Sequence, residues 1–171
     1  GSIDTYSGNN SHGLSLDILS EDAALGLAVF LDVLLSPAFE LAEIERERTS
    51  QLAAIGQQRD HLLSNTLKKL RRLLFGNTGY GLDNLGETEA VESLAREQVN
   101  AHHSTLTAPG NSVLAVFGDI DAGQVHERIE AALTKWNSPA PSLGLPDGGA
   151  PTSERRDVDL TKKEQAVVTV G

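Results

Sequence analysis

Five histidines are the first residues to test for chemistry: His12, His61, His102, His103 and His126. A zinc hydrolase helix needs His-Glu-x-x-His or its inverse His-x-x-Glu-His, because one helical turn of spacing puts both imidazoles on one face with a carboxylate beside them. Neither pattern occurs. The nearest run is His126-Glu127-Arg128-Ile129-Glu130, which lacks the second histidine. His102 and His103 are neighbours in a helical stretch, so they diverge by about 100° and cannot easily share a metal. All five read as ordinary surface or helix-packing histidines. There is no cysteine, which excludes disulfides and thiol chemistry. A structural zinc would then rest on histidines and carboxylates, and none has ligand spacing. Serine, histidine and aspartate are all present, but no Gly-x-Ser-x-Gly elbow is. The run 76–86 holds Gly76, Gly79, Gly81 and Gly86. A phosphate cradle needs a strand before such a loop, and here a helical stretch precedes it. On its own residues the chain shows no catalytic constellation.

Net charge narrows the partners. The 171 residues carry a formal charge of −10, and no basic patch outweighs the acid, which argues against nucleic acid. The one basic cluster, Lys68, Lys69, Arg71 and Arg72, spreads around a helix and reads as a solvated face. The longest apolar run, Ala23 to Leu35, is broken by Asp32 and falls short of the roughly 20 residues a membrane span needs. No signal peptide is visible, and the compartment stays open. With no methionine anywhere, the chain is expected to be a piece of something longer.

The central element is Pro37 to Phe75, dense in helix formers. Ser36 is placed to cap its start and Pro37 to occupy the first helical position. Leu41, Ile44, Leu52 and Ile55 recur at near-helical spacing, while Glu40, Glu43, Glu45, Arg46, Glu47, Arg48 and Arg59 mark a solvated face. A break near Asp60–Asn65 predicts two consecutive helices. Upstream, Leu14, Leu16 and Ile18 alternate as in a half-buried strand, and Ser7 to Ser11 reads as a turn. Ser20 is expected to cap a helix over about 21–35, apolar nearly all round and therefore the most buried. Downstream come short helices over 88–94 and 96–105. Ser112–Phe117 follows as a buried strand, and then an amphipathic helix opened by Asp121 and Gln124 as a capping box. Val125, Ile129, Ala132, Leu133 and Trp136 line its apolar face. Residues 137–153 hold four of the six prolines and read as a linker. Asp157–Leu160 and Gln165–Val170 read as two short strands. The expected division is a domain over 1–136, the linker over 137–153, and the start of a following unit over 154–171. Irregular alternation of strands and helices predicts an α+β fold.

Several runs occur in an order that can be matched to a family. They are Tyr6–Ser15, the helix Ala23–Leu35, Ser36-Pro37-Ala38-Phe39, Glu45-Arg46-Glu47-Arg48, Leu74–Gly81 and Leu85-Gly86-Glu87-Thr88-Glu89. Further on come Ala108-Pro109-Gly110-Asn111, Val113–Asp119 and a helix ending in Leu133-Thr134-Lys135-Trp136. In this order the chain resembles the M16 metallopeptidases, relatives of insulinase, pitrilysin and the mitochondrial processing peptidase, over roughly residues 3–136. No single run is diagnostic. The resemblance implies a mostly antiparallel sheet packed against a layer of helices, of the LuxS and processing-peptidase type, here as a partial domain. It also implies two halves that close on an unfolded peptide. Catalytic members carry His-x-x-Glu-His in one unit, which would lie before Gly1, and a distal glutamate as third zinc ligand on the helix corresponding to Glu45–Gln57. By that match the ligand position is Ala54, with Ala53 beside it, while Glu47 matches an assisting carboxylate. Alanine has no lone pair to give a metal.

The resemblance therefore implies a non-catalytic, substrate-enclosing and structural domain, with no catalytic residue and no metal ligand of its own. Its expected partners are a catalytic M16 half or subunit and an extended peptide, and zinc is expected in that catalytic half. One alternative is the C-terminal portion of a competent unit. Glu43, Glu45 or Glu47 would then take the ligand role, although Glu47 lies about two turns, some 10 Å, from position 54. Another is an inactive assembly subunit with no peptide role. Were peptide bound, the loop Gly76–Gly86 and the run Ser112–Phe117 are the places to look, since a sheet edge can accept an added strand.

Overall fold

The computed structural model describes residues 1–134, 136–141, 144, 153–160 and 162–171. Of the expected linker, residues 142, 143 and 145–152 lie outside the described ones. The chain divides into two compact units, Gly1–Glu40 with Ala95–Leu143 and Leu41–Leu94 with Gly144–Gly171.

The first unit opens with strands β1 (Ser2–Ser7) and β2 (His12–Asp17), paired antiparallel from Ser2 opposite Asp17 to Ser7 opposite His12. The expected turn closes the hairpin, where Gly8 N donates to Ser11 O at 2.8 Å. Leu14 and Leu16 are half-buried and Ser15 and Asp17 exposed, the alternation that a strand with one covered face produces. Helix α1 (Ala23–Leu35) packs on β2. A Cβ on Gly26 would run into the Ile18 and Leu16 side chains, so the bare glycine permits the close approach.

Three expectations for this unit need correction. Ser20 makes no side-chain cap: Ser20–Asp22 is a 3-10 turn closed by Asp22 N donating to Leu19 O at 3.0 Å. Helix α1 buries Phe30 and Leu31, yet Leu25 is 69% exposed and Val29 and Val33 are exposed too. Its apolar composition is thus not matched by burial all round. Ser112–Phe117 is not a buried strand. It joins no ladder, and Val113 and Phe117 are 97% and 89% exposed. A strand needs a partner edge to satisfy its backbone, and among the described residues only β1 and β2 are paired.

Helices α5 (Arg96–Leu106) and α6 (Ala122–Leu133) complete the unit. Asp121 caps α6 as expected, its Oδ1 accepting from Gln124 N at 3.1 Å. The return arm of the box differs: the Gln124 side-chain amide donates to Asp121 Oδ2 at 3.2 Å rather than accepting from backbone. Val125, Ile129 and Leu133 are half-buried on one face of α6. Trp136 donates through Nε1 to the carbonyl of buried Thr107 at 3.1 Å.

The second unit contains α2 (Leu41–Asp60), α3 (Leu62–Phe75) and α4 (Thr88–Ser93). The predicted break falls at His61, which caps α3. The predicted start does not hold. Ser36 N donates to Asp32 O at 2.8 Å and ends α1. The chain then stays non-helical to Glu40 because Phe39 takes a left-handed φ of 43°, which no right-handed helix accommodates. Ile55 and Val91 are buried in this unit, with Ile44 and Leu52 half-buried. Asp157–Leu160 and Gln165–Val170 form no ladder either. Side chains tie this segment to the helices instead: Lys69 pairs with Asp159 at 2.7 Å, Arg155 donates to Leu73 O at 2.7 Å, and Lys163 donates to Asp60 O. The architecture is α+β, with helices predominating and a two-stranded antiparallel sheet, smaller than the sequence implied.

Candidate functional site

The resemblance puts the zinc-ligand position in the middle of α2. Ala54 is half-buried there and Ala53 exposed. Their methyl groups offer no donor atom, so these two positions do not fit a metal. Glu47 is exposed. Among the described residues no three His, Asp or Glu side chains converge as a metal group would require.

Each histidine has a local place. His61 caps α3, its Nδ1 lying 3.3 Å from Ser64 N and 2.9 Å from Ser64 Oγ. His126 lies 3.3 Å from Glu130, one turn on, with both side chains exposed. His103 packs edge-on against Phe39. His12 and His102 are exposed, at the start of β2 and on α5.

The polar face of α2 is committed to holding other parts of its unit. Arg48 donates to the carbonyls of Val91, Glu92 (3.0 Å) and Leu94 (2.7 Å), while Glu45 pairs with it at 3.1 Å. Those carbonyls lie at the C-terminal end of α4, where helical partners run out. One turn along, Gln51 donates to Leu85 O at 2.7 Å. Two turns further, Gln58 donates to Asp83 Oδ1 at 3.3 Å.

Asp83 is the node of the loop Gly76–Gly86. Its side chain is 2% exposed and receives Leu85 N at 3.1 Å and the Lys68 ammonium at 3.2 Å. Burial pushes this carboxyl upward, but the Leu85 N–H, the Lys68 charge and Gln58 outweigh it and hold the group below the ordinary aspartate range. Lys68 also reaches Glu87 at 3.3 Å. The basic cluster expected as a solvated face therefore includes two internal ties, Lys68 and Lys69. Sequence reasoning missed Arg48, Gln51, Gln58 and Asp83. Arg48, Gln51, Ile55 and Gln58 recur at three- and four-residue spacing on one side of α2, so three long polar side chains share a stripe with a core isoleucine. That shared stripe was the available signal.

The two peptide candidates differ. The loop Gly76–Gly86 is pinned by Gln51, Gln58 and Lys68, and presents Tyr80 and Leu82 at 48% and 52% exposure beside Phe75, the last residue of α3, at 48%. The Phe75 and Tyr80 rings lie 5.8 Å apart. Ser112–Phe117 is open along its length.

Comparison with known proteins bears on this arrangement. A family described as Peptidase M16 inactive domain matches residues 93–171. An uncharacterized zinc protease of Mycobacterium leprae is 28% identical over 162 residues, covering 90% of this chain and 36% of that protein. A probable mitochondrial-processing peptidase subunit beta of Arabidopsis thaliana is 25% identical over 138 residues, covering 81% of this chain and 26% of that protein. The chain thus spans about a third or less of the curated relatives it matches. Its fold is similar to the crystal structure of a peptidase M16 inactive domain from Pseudomonas fluorescens, with a TM-score of 0.73 at 18% identity, covering 86% of this chain and 37% of that one. From residue 93 onward the chain thus matches the family described as Peptidase M16 inactive domain, over most of its length it is similar to a zinc protease and to a probable mitochondrial-processing peptidase subunit, and its fold is similar to that of an M16 inactive domain.

Proposed function

We propose that this segment serves as a non-catalytic, substrate-enclosing and structural domain of an M16-type zinc metalloendopeptidase that cleaves peptides or unfolded proteins. The observation that carries this reading is the state of α2. By the resemblance the family's ligand position is Ala54, with Ala53 beside it, and neither methyl group has a lone pair to give, while Arg48, Gln51 and Gln58 on the same helix hold α4 and the loop Gly76–Gly86. A helix used in this way stiffens a wall and supplies no Lewis acid. Zinc and the attacking water belong to a catalytic half, in the same chain or another. The extended peptide lies against this segment in the closed state.

Zinc titration of the tag-free chain, with metal content read by mass spectrometry, tests the first part. The expected result is no stoichiometric zinc. One tightly bound zinc per chain, lost in Glu47→Gln or His61→Gln, would overturn it and favour a competent unit. Mixing with the catalytic half tests the second part. A lower KM for an extended peptide supports enclosure, and an unchanged KM despite complex formation leaves an assembly role in its place.

A further inference from the structure

Arg48 and Arg71 are half-buried, while the other arginines are exposed. Arg48 spends its guanidinium on three carbonyls and Glu45. Arg71, on α3, makes no hydrogen bond or ion pair with any of the described residues. Acids are not scarce, with 24 Asp and Glu against 14 Lys and Arg. Lys68 and Lys69, on the same helix, each have two carboxylates within ion-pair distance. A guanidinium drawn partly out of water without an anion gives up hydration and gains nothing in return.

Arg71 borders a hollow of about 350 Å³ in the second unit, lined also by Gln58 of α2 and by Ser64, Leu67 and Leu70 of α3. Ser64, Leu67 and Arg71 follow at three- and four-residue steps, so they share one face of the helix. The two uncharged polar walls are already held. The Gln58 amide donates to Asp83 Oδ1 at 3.3 Å, and Ser64 Oγ lies 2.9 Å from His61 Nδ1. Arg71 is thus the lining group whose donors are uncommitted. Leu70 is half-buried and Leu67 43% exposed, which leaves an apolar surface beside the cation.

We infer that this hollow is a binding site for a peptide carboxylate, with the Arg71 guanidinium pairing with the two oxygens and Leu67 and Leu70 taking the adjoining apolar side chain. A planar fork of donors matches a carboxylate better than any other common peptide group. The pairing supplies the anion that the chain itself does not. The ligand class, a peptide, rests on the enclosing role proposed above. The carboxylate comes from a glutamate side chain or from a peptide C-terminus.

Amide chemical shifts of the full chain, titrated with short extended peptides, test the site. One peptide has blocked ends and a single Leu-Glu pair, and its control has Leu-Gln. A second ends in leucine with a free carboxylate, and its control ends in the amide. At least one carboxylate peptide is expected to shift Gln58 and residues 64–71, its neutral control is not, and the responding pair identifies the source. Arg71→Gln should weaken that binding about tenfold or more, as loss of a charge-assisted pair does, and Arg72→Gln, at the exposed neighbour, should leave it unchanged. Should Arg71→Gln not fold, Arg71→Lys, which keeps the charge and loses the fork, should weaken binding severalfold. No shifts with either carboxylate peptide, equal binding of the neutral controls, or binding undiminished by the Arg71 substitutions would overturn the site. Binding here with an unchanged KM in the catalytic complex supports the site and removes the enclosing role, whereas a lowered KM without binding here removes the site alone.

Discussion

The guanidinium of Arg48, near the middle of α2, lies 2.7 Å from the carbonyl oxygen of Leu94 and 3.0 Å from that of Glu92, and so closes the end of α4 from outside. Removing it leaves several carbonyls without their donor. Arg48→Ala should lower unfolding free energy by about 1–3 kcal/mol, read as a shift in urea midpoint. Arg48→Lys should recover only part of this, because an ammonium cannot reproduce the planar fork that spans several acceptors.

Asp83 should set the acid limit of the second unit. Its folded pKa is depressed, so the stability it contributes is present above the ordinary value of 3.8 and is lost as pH falls through the lower folded value. Asp83→Asn should cost about 1–2 kcal/mol at neutral pH and flatten the acid arm of the stability curve below that point. An acid arm unchanged in the variant would show that Lys68 finds an equal partner elsewhere, with Glu87 the nearest candidate.

Two glycines should respond in opposite senses. A Cβ on Gly81 would overlap the carbonyl oxygen of Gly76 and crowd Phe75, both backbone atoms that cannot swing aside. Gly81→Ala should destabilise by about 1–3 kcal/mol. Gly56, within α2, has nothing within 4 Å of its missing Cβ. Gly56→Ala should stabilise by about 0.5–1 kcal/mol, through helix propensity alone. Thermal melts of the two variants check the pair.

The run Ser112–Phe117 should be the first place a protease enters. Phe117 is 89% exposed and followed by Gly118 at a φ of 133°, and none of Val113–Phe117 is in a ladder. Brief chymotrypsin treatment should cut after Phe117 or Leu114 before it cuts within α2 or α3. A first cut inside a helix would contradict the open character of this run.

Local signals were legible in the sequence and distant ones were not. The hairpin turn at Ser7–Ser11, the break at His61 and the Asp121 cap were all readable because each depends on residues within a few positions of one another. Ser36 and Pro37 misled because their local preference for a helix start was overridden by Phe39. Ser112–Phe117 carries a strand's composition, but a strand is made by its partner, and composition says nothing of where the partner is. The ties of Arg48 and Asp83 join residues 15 to 46 positions apart, beyond any periodicity. Only the polar side chains on the Ile55 stripe hinted at them. For function, the proposal that Ala54 stands at a ligand position comes from the family pattern rather than from spacing.

Helix α4 has six residues, too few to persist alone in water, since a helix must first form a costly nucleus. Its far end is closed by a side chain lying 43 to 46 residues earlier. Helix α4 therefore has to wait for α2 and becomes a late event in the folding of its unit. Interactions formed after the rate-limiting step leave the folding rate alone and act on the way out. Arg48→Ala should accordingly speed unfolding while refolding keeps its pace, which makes this arginine a brake on opening rather than a guide to assembly.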